Sequence, residues 1–247
     1  MLNSFASYQR VVVFGGKSDI AHSILENLSL SADSEVILIG REISSHLFAH
    51  VQKGVTTVPL EADFKNISLA KEIVDDIFNS RDVDLAIFAY ATLPVEDLQM
   101  QENVLEEVFQ INSLSQIILL NRVAELMRRQ KHGQILCISS IASLRPRKRN
   151  FVYGASKSAV DFYSRGLQRV CREDNVFLTI LRPGFVRTKM THGMSPAPFA
   201  TTRLQVAKST TRALKKKARV AYSPRYLKGV MGIIRILPEK VFWLIDK

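Results

Sequence analysis

The chain has 247 residues, 47% of them apolar, which is enough for one large α/β domain with a buried core and too apolar for a disordered chain. Its 34 basic residues outnumber 23 acidic ones, and the net charge of +11 points either to an anionic partner (phosphate, nucleic acid or an acidic membrane surface) or to a solvated basic surface. MLNSFASYQR has no charged leader followed by an apolar run, and no stretch reaches about 18 uninterrupted apolar residues, so neither a secretory signal nor an ordinary transmembrane helix is expected, and a cytoplasmic location is.

Val11–Phe14 reads as a buried strand, Gly15-Gly16-Lys17-Ser18-Asp19 as a tight turn, and Ile20 to Leu28 as a helix with apolar positions at Ile20, Ile24, Leu25 and Leu28. A glycine turn between a first strand and a first helix aims backbone N–H groups and the helix dipole at a pyrophosphate. Gly15, Lys17, Ser18, Asp19 and Ile20 are the candidates for that contact, although a simple βα turn accounts for the same pattern. The second strand, Glu35–Ile39, ends in Gly40-Arg41. In a dinucleotide fold an acid after this strand favours the 2′-hydroxyl of NAD, whereas an Arg accommodates the 2′-phosphate of NADP. Arg41, with Lys17, leans to NADPH, or Arg41 is a surface charge.

Val55–Pro59 reads as a third strand, Ser68–Asn79 as a helix, Val83–Ala89 as a fourth strand, and Val104 to Met127 as one helix or more. His46 and His50 are four apart and could share a helix face, but no third ligand lies close in sequence, and no metal site is expected. Cys137 and Cys171 fall in a strand and a helix as core thiols, which fits a reducing compartment.

Gln134–Ser139 is apolar and β-prone, and Ser139 and Ser140 sit at its C-terminal end. The following loop, Leu144–Asn150, carries Arg145, Arg147, Lys148 and Arg149, either as a solvated loop or to recognise a substrate phosphate. From about Tyr153 the pattern is helical, and Tyr153 and Lys157 share one face. An ammonium beside a phenol lowers the phenol pKa from about 10. A phenol so tuned can give a proton to a carbonyl oxygen or take one from an alcohol. Ser140 could hold the same oxygen. Taken alone, the pair is also what any solvated helix face can carry. Phe177–Leu181 is a further strand, broken by Arg182-Pro183-Gly184 at the sheet edge where ligands bind in doubly wound folds. Lys189 to Arg203 reads as a mobile substrate lid. The tail holds Lys215, Lys216, Lys217 and Arg219, then an apolar run from Tyr226 to Ile245 interrupted by Arg235, Pro238, Glu239 and Lys240. Such a tail could lie on a membrane surface, receive a lipid chain, or pack against the core or another subunit.

S-S-I-A, then Y-x-A-S-K, then P-G-x-V-x-T resembles the short-chain dehydrogenase/reductase family. The resemblance implies one Rossmann-type α/β domain, a doubly wound parallel sheet in a three-layer α/β/α arrangement. Residues to about 130 would mainly bind dinucleotide, 131–205 would carry catalysis and the substrate loop, and 206–247 the basic, apolar tail. It implies Ser140, Tyr153 and Lys157 as the catalytic triad and Asn112 as the residue ordering a proton-relay water. Asp63 and Phe64 would lie near the adenine, and Pro183, Gly184, Val186 and Thr188 against the nicotinamide. Ala89 and Tyr90 stand where the family has an asparagine-rich turn, which keeps backbone contacts and removes polar side chains. Of the family's three glycines only Gly15 stands; Asp19 and Ala21 take the other places. Asp19 could cap the helix, but its charge is awkward beside phosphate. A homo-dimer or tetramer is implied through the long helices after Ala91 and Tyr153.

LRPRKRNFVYGASKSAVDFYSRGL, LRPGFVRTKM and RYLKGVMGIIRILPEKVF are similar to one subgroup of that family, the reductases of polyprenyl-phosphate 2-keto-pentofuranose in actinobacterial arabinan synthesis. That likeness implies a lipid-linked phospho-sugar ketone as substrate, a flavin oxidase partner, peripheral contact with the inner membrane surface and a role in cell-wall precursor synthesis. It also implies NADH, against the lean of Arg41, so the cofactor is expected to be NADPH or NADH. One alternative is a member of the family acting on a different, soluble ketone or alcohol. The other is a non-catalytic dinucleotide sensor or nucleic-acid-binding protein; nucleic acid is disfavoured because a pure binder has no need of the Ser140, Tyr153, Lys157 and Asn112 set.

Overall fold

The computed structural model describes residues 7–43, 52, 54–194 and 200–246; the His46/His50 pair and part of the expected lid lie outside them. Seven parallel strands form one sheet: β1 (Tyr8–Phe14), β2 (Leu30–Gly40), β3 (Thr56–Glu61), β4 (Leu85–Phe88), β5 (Gly133–Ile138), β6 (Val176–Pro183) and β7 (Val220–Ser223). Their order is β3-β2-β1-β4-β5-β6-β7. The strand order reverses between β1 and β4, which opens a crevice outside their carboxyl ends.

Helices cover both faces because the strands are apolar on both faces. In β1, Val11 and Val13 pack with Ala21, Ile24 and Leu25 of α1 (Asp19–Asn27) and with Val206, Ala207 and Leu214 of α6 (Arg203–Lys215). Val12 and Phe14 face the other layer. There they meet Val74 of α2 (Ile67–Ser80), Leu119 and Val123 of α4 (Gln116–Gln130), and Val160 of α5 (Phe151–Arg172). Each fully buried aliphatic or aromatic side chain contributes roughly 1.5–3 kcal/mol. Cys137 and Cys171 are free thiols buried in β5 and α5.

Several boundaries differ from the sequence reading, each for a local reason. β2 begins at Leu30 rather than Glu35, because the Ser34 hydroxyl donates to the Tyr8 carbonyl at 2.7 Å and accepts from the Ser31 N–H at 2.8 Å. Those bonds hold a stretch of poor β propensity in the sheet. The region 104–127 is two helices, α3 (Glu102–Phe109) and α4, joined by a π turn over Gln110–Ser115. The helix of Tyr153 starts two residues earlier, at Phe151. The tail splits at Pro238 into α7 (Leu227–Ile236) and α8 (Glu239–Ile245). No helix of the described residues is long and apolar enough to cross a membrane.

One buried ion pair joins β5, α5 and β6. The Asp161 carboxylate, on α5 one turn beyond Lys157, accepts from Arg182 Nε at 2.8 Å and Nη2 at 2.6 Å. It also accepts from the Ser139 hydroxyl at 2.8 Å. Arg182 Nη1 donates to the Tyr222 hydroxyl at 2.7 Å, which brings in β7. The Asp161 and Arg182 side chains are 4% and 6% exposed, so removing one partner leaves the other charge uncompensated in the interior. Asp161→Ala is expected to destabilise the fold by roughly 3–5 kcal/mol. Urea unfolding measures this, and a loss under about 1 kcal/mol, the scale of an exposed pair, would contradict it.

Candidate active site

A cavity of about 680 Å³ lies across the carboxyl ends of the strands, at the point where their order reverses. Its first end is the turn after β1. Gly15 has φ +93°, and a Cβ there would fall 2.8 Å from the Tyr90 nitrogen, so both backbone conformation and space demand glycine. The N–H groups of Gly15 and Gly16 are both spent on the Ile39 carbonyl at 2.9 Å. The anion-facing part of the turn is therefore the start of α1, where Lys17, Ser18, Asp19 and Ile20 line the cavity.

The side chains here correct one expectation. Ser18, not Asp19, caps α1, accepting from the Ala21 N–H at 3.3 Å. The Asp19 carboxylate instead accepts from the Lys189 N–H at 2.7 Å and faces Arg203 at 3.5 Å. Its charge is thus balanced by the segment that follows β6. Lys17, expected with Arg41 to lean to NADPH, lines the cavity with its ammonium paired to Glu42 at 2.7 Å. That pairing holds the Glu42 carboxyl below its usual range. Arg41 lies exposed at the cavity rim.

Asp63 and Phe64, after β3, also line the cavity. Asp63 accepts from the Lys65 N–H at 2.9 Å, which sets its turn. Phe64 stacks on Tyr90 with centroids 3.9 Å apart, and the Tyr90 hydroxyl bonds Ser115 at 2.9 Å. Phe64 and Tyr90 therefore form an aromatic floor, with Ala89 beside it, in place of a polar turn.

Mid-cavity, Ser140 follows β5, and Tyr153 and Lys157 rise from the first turns of α5. Ser140 Oγ accepts from the Ala142 N–H at 3.1 Å, and its hydroxyl lies close enough to the Tyr153 phenol to favour the charged form. Burial pushes the Tyr153 phenol up to about 12, and the Ser140 hydroxyl offsets part of that. Lys157 is 2% exposed and donates to the Ile138 carbonyl at 3.1 Å. Burial pulls its ammonium down to about 8. The expected lowering of the phenol by the lysine is not what this site holds: desolvation penalises both charged forms. A phenol that keeps its proton is suited to donating it.

Asn112 is fully buried in the π turn and does not line the cavity. Its amide is spent on backbone: Oδ1 accepts from the Thr92 N–H at 2.7 Å and Nδ2 donates to the Thr92 carbonyl at 2.7 Å. After β6, Pro183, Gly184, Val186 and Thr188 all line the cavity. Of the expected lid, residues 189–194 and 200–203 are described, and they are tied down: Thr188 and Thr191 cap each other across a short turn, and the Thr201 N–H donates to the Phe185 carbonyl at 2.8 Å.

The far end was missed in sequence reasoning. Leu227, Val230, Met231 and Ile234 of α7 form a wall, faced by Leu93, Met190 and Met194. The spacing 227, 230, 231, 234 is one helical face and was available as a signal.

Residues 9–198 match the family model for short chain dehydrogenase. The chain belongs to the short-chain dehydrogenase family. An uncharacterized oxidoreductase of Mycobacterium tuberculosis (strain H37Rv) is 30% identical over 239 residues, 94% of this chain and 95% of its own length. Among solved structures, a short-chain dehydrogenase from Sphingobium yanoikuyae in complex with NADPH superposes with a TM-score of 0.78 at 19% identity, covering 93% of this chain and 96% of that one. A 3-oxoacyl-[acyl-carrier protein] reductase from Brucella melitensis in complex with NAD gives 0.74 at 16% identity, over 88% and 96%.

The buried lysine makes stability depend on pH. Its folded pKa of about 8 lies below the ordinary 10.5, so between those values the unfolded chain binds more protons and stability rises with pH. Below about pH 8 the full cost of burying the charge applies. Lys157→Met should therefore compare most favourably with the parent at pH 7, and that relative advantage should shrink towards pH 10.5. Thermal melts of both across this range test it, and a pH-independent difference would contradict it.

Proposed function

We propose that this chain is a nicotinamide-dependent reductase of a ketone, with Tyr153 as the proton donor. The observation that carries the reading is a buried phenol, close to the Ser140 hydroxyl, that keeps its proton beside a cavity built on a βα glycine turn. The residues present fit a dinucleotide. The N-terminus of α1, with Lys17, Ser18, Asp19 and Ile20, lines the cavity, and Arg41 and Asp63 line the part into which an adenosine would extend. A reduced nicotinamide bound along Pro183–Thr188 would supply the hydride. Tyr153 donates its proton to the carbonyl oxygen, and Ser140 orients that oxygen. Lys157, one helical turn along the same face, would hold the ribose and offer a cation to the phenolate that forms. Asn112 fixes the backbone of Thr92 and, through Ser156 at 3.3 Å, the first turns of α5.

Either NADPH or NADH serves this scheme. Arg41 favours NADPH, but Glu42 has taken Lys17, so a 2′-phosphate would find one cation rather than two. The finer reading is that the ketone is the 2-keto group of a lipid-linked phospho-sugar in cell-wall precursor synthesis. The apolar α7 wall and the basic loop before Tyr153 support it, as does the likeness to the arabinan reductases. That reading includes a flavin oxidase forming the ketone and a seat at the inner membrane surface. It also includes a homo-dimer or tetramer, for which the exposed Phe109, Leu114 and Phe162 offer apolar contact area.

Two measurements test the proposal. Tyr153→Phe should lower kcat on an aromatic diketone such as 9,10-phenanthrenequinone by about 100-fold or more, with cofactor affinity little changed; full turnover would end the assignment. Fluorescence titration should give NADPH binding that weakens about tenfold in Arg41→Ala while NADH binding holds. An NADH preference untouched by the substitution would make Arg41 a surface charge.

A further inference from the structure

We propose that Arg147 and Asn150 form a substrate-selecting subsite that takes an anionic group and a hydroxyl carried beside the reacting ketone. This rests on the ketone-reductase reading and assigns the substrate class of the same cavity.

The loop between Ser140 and Tyr153 carries four cations, and the structure sorts them. The Arg145 guanidinium lies over the Phe242 ring at 4.8 Å and reaches the Arg235 carbonyl at 3.5 Å. Lys148 is exposed, and its backbone N–H is held by the Asp246 carboxylate at 2.8 Å. Arg149 is exposed and faces Glu96 at 4.0 Å. Arg147 is half-buried and is the one of the four that lines the cavity. A guanidinium there presents paired donors matched to phosphate or carboxylate.

Asn150 is the N-cap residue of α5, a position where asparagine usually bonds the first helical N–H groups. Here it makes no cap bond. Its Oδ1 is buried without a hydrogen-bond partner, and Asn150 is the only residue with such an atom, among the described residues, that lines the cavity. A buried acceptor left unmet is unfavourable, and a turn of the Asn150 side chain into the cavity, where a ligand O–H or N–H would meet it, removes the penalty. The loop is preorganised for this task. Gln99, 2% exposed, donates to the Arg149 carbonyl at 2.9 Å and accepts from the Val152 N–H at 3.4 Å. The two residues stand six and three positions before Tyr153, so the groups they hold belong close to the carbonyl. The substrate is therefore a hydroxylated keto acid or keto phosphate, with room for an apolar extension along α7.

Steady-state rates at saturating cofactor test this with four probes: dihydroxyacetone phosphate, hydroxypyruvate, dihydroxyacetone, and 9,10-phenanthrenequinone as a reference lacking both groups. Arg147→Ala should raise KM at least tenfold for the phosphate or the carboxylate probe, whichever is the natural anion, and leave dihydroxyacetone unchanged. Arg147→Lys should recover part of that loss. Asn150→Ala should raise KM for the hydroxylated probes alone. Arg147→Ala should leave the melting temperature unchanged and Asn150→Ala should not lower it, since the latter removes an unmet buried acceptor. Changes that are equal across all four probes, or absent, would overturn the subsite. If no probe is reduced, the reductase reading fails separately. Calorimetric binding of dihydroxyacetone phosphate then decides the subsite: tenfold weaker binding in Arg147→Ala supports it, and equal binding overturns it.

Discussion

A single buried carboxylate sets the geometry on which the catalytic centre depends. Asp161 binds Ser139 at the end of β5, Arg182 at the end of β6, and stands one helical turn beyond Lys157 on α5. Ser140, Tyr153 with Lys157, and Pro183–Gly184 each adjoin one of those three attachment points. Their mutual distances are therefore fixed by charge-assisted hydrogen bonds in a nearly dry interior, where such bonds are strong and a missing partner is costly. Ser143 adds to the same knot, donating to the Ser140 carbonyl at 2.7 Å. The segments that follow β5 and β6 thus borrow the rigidity of the sheet through one ion pair.

The electrostatics follow from the same dryness. The pairing of a phenol with a lysine four residues later suggests mutual activation, with the ammonium drawing the phenol down. In the structure each group is penalised for its charge before either helps the other, so the phenol rises and the ammonium falls. A protonated phenol beside a lysine of reduced pKa is an acid in waiting. Its strength becomes useful only when a substrate oxygen arrives to share the proton.

Much of the fold was legible in the sequence because it rests on strong local signals. Val11–Phe14, Leu85–Phe88 and Gln134–Ile138 are uninterrupted apolar runs, and a strand buried on both faces has no other way to look. The Tyr153 and Lys157 pair was legible because one helical turn separates the two. What escaped depends on contacts between distant residues. The start of β2 needs Ser34 to meet Tyr8, the orientation of Asp19 needs Lys189 and Arg203, and the role of Asp161 needs Arg182 and Ser139. None of these pairings leaves a periodic trace. The pairing of Lys17 with Glu42 is of the same kind, and it changes the count of cations that a nucleotide would meet.

The α7 wall differs in construction from the rest of the cavity. The other sides hang on strands whose ladders would have to break before they could part. By contrast, α7 and α8 are fastened to the catalytic loop by side chains at a few points: Phe242 under Arg145, Asp246 on the Lys148 N–H, and Arg145 on the Arg235 carbonyl. The enclosure thus has masonry on three sides and a panelled fourth. A ligand too long to be swallowed whole must thread past that panel. The tail thereby governs how much of a bound molecule can remain outside while the rest is enclosed.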